Sequence, residues 1–181
     1  MAGANVRGGE PARLREGDPE AWESFYERVY PKMIAYAQRR LGYNEEARDA
    51  VSEALARTVA GVVKMEELEA VPDAWSFGIL RNVVLDFQRR GYLDRRKRSS
   101  DVVTPDDPAE ALDARSERET VRRAFAQLND SERELLELRV VAGFSAEQVA
   151  LVLNMSPGAV RTAQTRALTK LRNLMPEEVQ P

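Results

Sequence analysis

The sequence has no histidine and no cysteine among its 181 residues. Without cysteine there are no disulfides, no thiolate metal sites and no thiol nucleophile. Without histidine the commonest general base and the commonest metal ligand are missing too. Catalysis would have to run on Asp, Glu, Lys or Ser alone. A metal enzyme on a helical bundle needs Glu-x-x-His pairs or inward clusters of acids, and here the acids fall on outer faces. No enzyme activity, no metal and no cofactor is expected. Long apolar runs are lacking as well, so no membrane span is expected. The opening stretch "MAGANVRGGEPARLREGDPE" has no apolar centre of the kind a secretory signal carries. Together with the missing cysteine, this points to the cytoplasm and to no membrane contact by the chain itself. Strand-like alternation rich in Val, Ile and Thr is absent throughout, which makes the chain all-α.

The charges are unevenly placed. The net charge is only −3, from 27 basic and 30 acidic residues. Yet from Gln148 to Pro176 there is no acid, while Arg161, Arg166, Lys170 and Arg172 all fall there. A second basic run, "RRGYLDRRKR", spans Arg89 to Arg98. Two basic patches on an acidic chain suggest two nucleic-acid contacts, with acidic faces turned to other partners.

Between the patches lies "SDVVTPDDPAEALD", Ser100 to Asp113, with two prolines, five acids and no base. Such a stretch cannot bury enough surface to fold. The expected organisation is a flexible tail over 1–13, a helical domain over 14–98 and a flexible linker over 99–113. A second helical domain follows over 114–176, then a tail over 177–181. In the first domain Asp18 is placed as an N-cap with Pro19 at the first helical position. Trp22, Phe25, Tyr26 and Val29 follow as a helical stripe, and Gly42 closes the next helix. Asn44 opens another that runs towards Val63, "KMEELEAVP" reads as an irregular connection whose middle could hold a short helix, and Asp73 starts a last helix to about Arg90.

In the second domain Ser145 begins a capping box, "SAEQ", with Gln148 at the third helical position. Phe144 and Val149 are spaced as a hydrophobic staple. That helix ends near Asn154; Ser156 caps the next, and Pro157 sits where its missing N–H costs nothing. A short turn between two short helices is the helix-turn-helix design, whose second helix can enter a major groove. On a wheel Val160, Ala167, Leu171 and Leu174 share one face, opposite Gly158, Arg161, Thr162, Thr165, Arg166, Thr169 and Arg172. Arginine can fork onto guanine edges or hold phosphate, and threonine can reach phosphate or a thymine methyl. The plainer reading is a solvated helix with ordinary surface arginines.

The stretch "PDAWSFGILRNVVLDFQRR", Pro72 to Arg90, offers a second candidate. Ile79, Leu80, Val83, Val84 and Phe87 form an apolar stripe, and Trp75, Asn82 and Arg89, seven apart, line the other flank. An aromatic, an amide and a guanidinium in line make a reader of unpaired bases. The alternative is an amphipathic helix whose Trp is simply core, which spacing alone favours.

The two blocks in this order resemble an extracytoplasmic-function (group IV) sigma factor of bacterial RNA polymerase, of the sigma-70 family. "GDPEAWESFYERVYPKM" resembles the first helix of region 2, and "NEEARDAVSEALART" the family's acidic helix, with Asp49, Val51 and Glu53 in register. "WSFGILRNVVLDFQRR" resembles the region-2 pattern at Trp75, Ile79, Arg81, Asn82, Asp86, Arg89 and Arg90. "LRVVAGFSAEQVALVLNMSPGAVRT…RA" resembles the region-4 helix-turn-helix. The resemblance covers about residues 14–175. It implies a non-catalytic subunit that binds core RNA polymerase, at the clamp and flap of its large subunits, and reads promoter DNA at −35 and −10. Region 4 would place Arg161, Thr162, Thr165 and Arg166 in the major groove, with Gly158 and Ala159 where the helix enters, and Arg139 on the phosphate backbone. In region 2, Asn82 would help capture a flipped −10 base, with Trp75, Arg89 and Arg90 supporting strand opening. Asp49 and Glu53 would face the polymerase clamp. An anti-sigma factor is a further partner that the resemblance allows. The sequence departs from the pattern at Ser52, Val59, Ala163, Gln164 and the acidic loop before Pro72. An acidic linker could also thread the polymerase's RNA exit path, or serve as a simple tether. The competing reading is an autonomous helix-turn-helix regulator.

Overall fold

The computed structural model describes residues 9–62, 72–95 and 120–175. The linker read over 99–113, most of the connection before Pro72, the basic residues 96–98, the first eight residues and the tail over 177–181 lie outside the described residues. The chain divides into two compact units, residues 1–104 and 105–181. Among the described residues every regular element is a helix.

The first unit holds α1 (Glu10–Arg15), α2 (Pro19–Leu41), α3 (Glu45–Val62) and α4 (Pro72–Arg95). Helices α2, α3 and α4 pack on one another, and α1 lies against α2. Asp18 caps α2 as expected: its Oδ1 accepts from the amides of Glu20 at 3.0 Å and Ala21 at 3.4 Å. Asn44 Oδ1 likewise accepts from the Ala47 amide at 3.2 Å at the start of α3. The core is built from Leu14, Phe25, Val29, Met33, Val51, Phe77, Leu80, Val83 and Val84, all buried.

Four expectations are corrected here. The stretch read as a flexible tail over 1–13 contains the first turn of α1, because Leu14 is fully buried and its carbonyl accepts from Trp22 Nε1 at 3.0 Å. The stripe from Trp22 and the helix closed by Gly42 are one helix, with Pro31 inside it. Proline is normally costly in a helix interior, but Pro31 is exposed while Val29 and Met33 on the opposite side are fully buried, so packing carries the helix through. Tyr26 is not core: it is 48% exposed and stacks on Tyr30 with ring centroids 4.9 Å apart. Helix α4 continues past Arg90 to Arg95, since Gly91 is weakly helix-forming but does not stop a helix already propagating.

The second unit holds a helix over residues 120–126 (α5), α6 (Asp130–Leu136), a π-helical turn (Glu137–Val141), α7 (Ala146–Leu153) and α8 (Pro157–Leu174). Asn129 and Glu132 form a capping box at the start of α6. The core draws on Leu128, Leu135, Leu136, Leu138, Phe144, Val149, Val152, Val160 and Ala167. Helix α8 is the central element, packing on both α6 and α7.

Candidate nucleic-acid interface

The α7–turn–α8 segment forms as its sequence directs. Ser145 Oγ accepts from the Gln148 amide at 3.2 Å, and Gln148 Oε1 accepts from the Ser145 amide at 2.8 Å. Phe144 and Val149, the staple pair, are both buried. Helix α7 stops at Asn154, whose φ of 53° lies in the left-handed region. Asparagine tolerates that conformation better than most side chains. The turn is closed by the Met155 amide, which donates to the Ala150 carbonyl at 3.0 Å. Ser156 Oγ then accepts from the Ala159 amide at 3.2 Å, and Pro157 opens α8.

Helix α8 is pinned on one side by Val160 and Ala167, both fully buried, with Leu171 and Leu174 half-buried beyond them. The opposite face presents Gly158, Ala159, Arg161, Thr162, Thr165, Arg166, Thr169 and Arg172, all exposed. Thr162 donates its hydroxyl hydrogen to the Gly158 carbonyl at 3.0 Å, and Thr165 donates to that of Arg161 at 3.1 Å. With the hydrogen used, each hydroxyl oxygen offers acceptor lone pairs. The face therefore combines cationic donors, fixed acceptors and small residues, the mixture that base edges and phosphates need.

Two interactions beside this face do not follow from the sequence pattern. Arg139, expected on the phosphate backbone, is half-buried. Its Nε donates to Gln164 Oε1 at 2.7 Å and its Nη1 to the Phe144 carbonyl, so it braces α8 against the loop before α7. Arg161 forms an ion pair with Glu147, in the first turn of α7 and just outside the acid-free stretch. The Glu147 carboxyl is held below the usual carboxylate range by its own backbone amide first and the Ser145 hydroxyl next, then by the charges of Arg161 and Arg139. A glutamate in the first turn of a helix ordinarily reads as favourable to the helix dipole. Its position fourteen residues before Arg161 gave no helical spacing by which to find the pair.

In the first unit the α4 flank is only partly as expected. Asn82, Arg89 and Arg90 are exposed. Arg89 pairs with Asp86 at 3.2 Å, and the Arg90 guanidinium lies 5.4 Å from the Phe87 ring centre. Trp75 is half-buried and seated on Gly61 of α3, so close that a Cβ at Gly61 would lie 2.5 Å from the indole Cη2. Of the two sequence readings for Trp75, this seating on Gly61 favours packing. The start of α4 is fixed by Arg28 of α2. Its Nε and Nη2 donate to the two Asp73 carboxylate oxygens at 2.9 and 2.8 Å, and Nη2 also reaches Glu10 of α1 at 2.8 Å. The hydrogen bond to Asp73 raises the Arg28 guanidinium above its ordinary value, against the cost of burial. On α3, Ala47, Ala50, Val51, Ala54 and Thr58 are buried; Asp49 is exposed on the other side, and Glu53, half-exposed there, pairs with Arg57 one turn on.

Comparison with known proteins agrees with this geometry. Residues 25–93 match the family model Sigma-70 region 2, and residues 118–171 match Sigma-70, region 4. The extracytoplasmic-function (ECF) RNA polymerase sigma factor ShbA of Streptomyces griseus is 33% identical over 90% of this chain and 91% of its own. The ECF sigma factor SigD of Mycobacterium tuberculosis is 29% identical over 87% of this chain and 78% of its own. Among solved structures, the sigma factor RpoE of Bartonella quintana, held there with the anti-sigma factor NepR, has a TM-score of 0.65 at 23% identity, over 84% of this chain and 95% of that one. CnrH, in complex with the cytosolic domain of CnrY, has a TM-score of 0.63 at 22% identity, over 91% of this chain and 94% of that one. The two structural likenesses concern the fold. Among the described residues no helix is long and apolar enough to cross a membrane. The chain belongs to the extracytoplasmic-function group of the sigma-70 family: it is a sigma factor, a non-catalytic subunit that directs RNA polymerase to promoters.

Proposed function

We propose that this sigma factor engages one promoter through two separate surfaces. The upstream surface is the exposed face of α8, with Gly158, Ala159, Arg161, Thr162, Thr165 and Arg166 at the −35 major groove. The downstream surface is the α4 flank, where Asn82 holds an extruded −10 base and Arg89 and Arg90 hold the strand. Extruding a base costs a few kcal/mol, which the protein recovers by binding only the open strand. Asp49 and Glu53, on the face of α3 that turns from the core, are the groups offered to the polymerase clamp. The functional domains in this reading run from α1 at Glu10 to residue 98 and over 114–176, with 99–113 between them, acting in the cytoplasm. An anti-sigma protein that covers these surfaces is a further partner of this reading.

The observation that carries it is the exposed, acid-free face of α8 on a fully capped helix-turn-helix. The test is transcription in vitro with core polymerase lacking its own sigma subunit, on a library of genomic fragments. Discrete start sites, and a complex that survives gel filtration, are expected. Arg166→Ala should lose upstream selectivity and keep core binding. Asn82→Ala should form closed complexes that fail to open, read by permanganate footprinting. A free chain that shifts a palindromic duplex, with no start sites, would replace this reading by that of an autonomous regulator.

A further inference from the structure

The recognition helix carries a carboxylate at its edge. Arg161 and Glu147 are paired side chain to side chain, across from α8 to α7, and each keeps about three-fifths of its surface open to solvent at 60% and 59%. Nothing in the fold requires the pair. Helix α7 is already capped by Ser145 and Gln148, and α8 by Ser156. The faces that hold the two helices together are Val149, Val152, Val160 and Ala167, all buried. No acid occurs within α8 or from Gln148 to Pro176. The Glu147 carboxylate, brought in from α7, thus pairs with an arginine of the face that meets a polyanion, which a surface built only for attraction would avoid.

We propose that Glu147 is a positioning and specificity residue: it holds the Arg161 guanidinium for a base edge and penalises its use on phosphate. This inference rests on the α8 assignment made above. A guanidinium has five N–H donors in a planar fork, so one edge can stay on Glu147 while another meets guanine O6 and N7. Holding the long side chain in one rotamer before binding removes part of the ordering cost of that contact. On random DNA the same arginine serves best as a phosphate clamp. To serve there it must leave Glu147 unpaired close to phosphate charge, which weakens the non-specific complex. The pair therefore acts on the difference between right and wrong sites.

The experiment uses holoenzyme, made with the full chain and core polymerase. It compares binding to a promoter duplex selected from the transcription library with binding to a random-sequence duplex of equal length. Four proteins are measured: the parent, Glu147→Gln, Arg161→Ala and the double variant. Arg161→Ala is expected to lower the ratio of specific to random affinity. Glu147→Gln should also lower it, by about two- to fivefold as for an exposed charge pair, mainly by tightening random binding. The salt slope of random binding should steepen by up to about one unit, because the released arginine neutralises one more phosphate. The double variant should match Arg161→Ala alone. A Glu147→Gln protein with an unchanged ratio overturns the proposal, including the case in which both affinities fall together through a damaged fold. An effect of Glu147→Gln that persists in the Arg161→Ala background also overturns it, because Glu147 would then act on DNA by itself. If Arg161→Ala leaves the ratio unchanged, the assignment of the α8 face fails first, and this inference with it.

Discussion

A single missing methyl group positions the largest side chain at the start of α4. The Trp75 indole occupies the space over Gly61, where a Cβ would lie 2.5 Å from Cη2 and 2.9 Å from Cζ2. On an open helix surface Gly→Ala stabilises by about 1 kcal/mol through helix propensity. At Gly61 the gain is opposed by overpacking, typically about 1–3 kcal/mol, and the ring must move. Gly61→Ala is therefore expected to lower the melting temperature. In a Trp22→Phe background, where Trp75 is the only tryptophan left, it should also shift the indole emission to the red. Gly78→Ala on α4 is the matched control, since a Cβ there meets nothing within 4 Å, and it should be neutral or stabilising. Equal behaviour of the two variants would mean that Trp75 is not seated as described. The sequence could not decide this point. Trp75, Asn82 and Arg89 share a helical flank by spacing, but which end of that flank is covered by α3 depends on packing between distant residues. Arg28 poses the same difficulty: its partner Asp73 lies forty-five residues away.

Elements whose signals are local were legible, and those whose signals are not were missed. The caps at Asp18, Ser145 and Ser156, the turn at Asn154 and the buried face of α8 all follow from side chains within a few residues of one another. The continuity of α2 through Pro31 and the docking of α1 follow from burial against other helices, which short-range patterns do not report. The tie between α6 and α8 is of the second kind. Lys170 on α8 donates to Glu132 on α6 at 2.8 Å, and Glu132 also accepts from the Asn129 amide at 2.9 Å. The Lys170 hydrogen bond is the main reason that the Glu132 carboxyl sits below its ordinary value, with the Asn129 amide next. A carboxyl depressed in the folded state adds stability above its unfolded value, and loses it as pH falls through the folded value. Lys170→Met should therefore melt lower than the parent at pH 7. The gap should shrink as pH falls below the ordinary range of a glutamate, and close once the carboxyl is protonated in both states. A gap that stays constant to pH 2 would assign the effect of Lys170 to packing of its stem.

At the scale of the whole chain, the reading proposed above has two DNA contacts share one polypeptide. Tethering turns the second contact into an intramolecular step, and overall affinity then exceeds that of either alone without any new interface. The arrangement asks each unit to be a stable reader in its own right. Each has its own core: Phe25, Met33, Phe77 and Leu80 in one, Leu136, Leu138, Phe144 and Val160 in the other. Damage to one should leave the other intact, because substitutions with no shared partners act independently. Asn154→Val places a β-branched residue at a φ of 53°, a strain of about 1–2 kcal/mol. Asn154→Gly, which has no such penalty, should be tolerated. Amide hydrogen exchange on the full chain then reads where the damage goes. Asn154→Val should speed exchange in α6, α7 and α8 and leave α2, α3 and α4 as protected as in the parent. Gly61→Ala should do the reverse. If either substitution lowers protection in both sets of helices by the same factor, the two units unfold as one cooperative body. The two promoter contacts proposed above could then no longer be treated as independent readers.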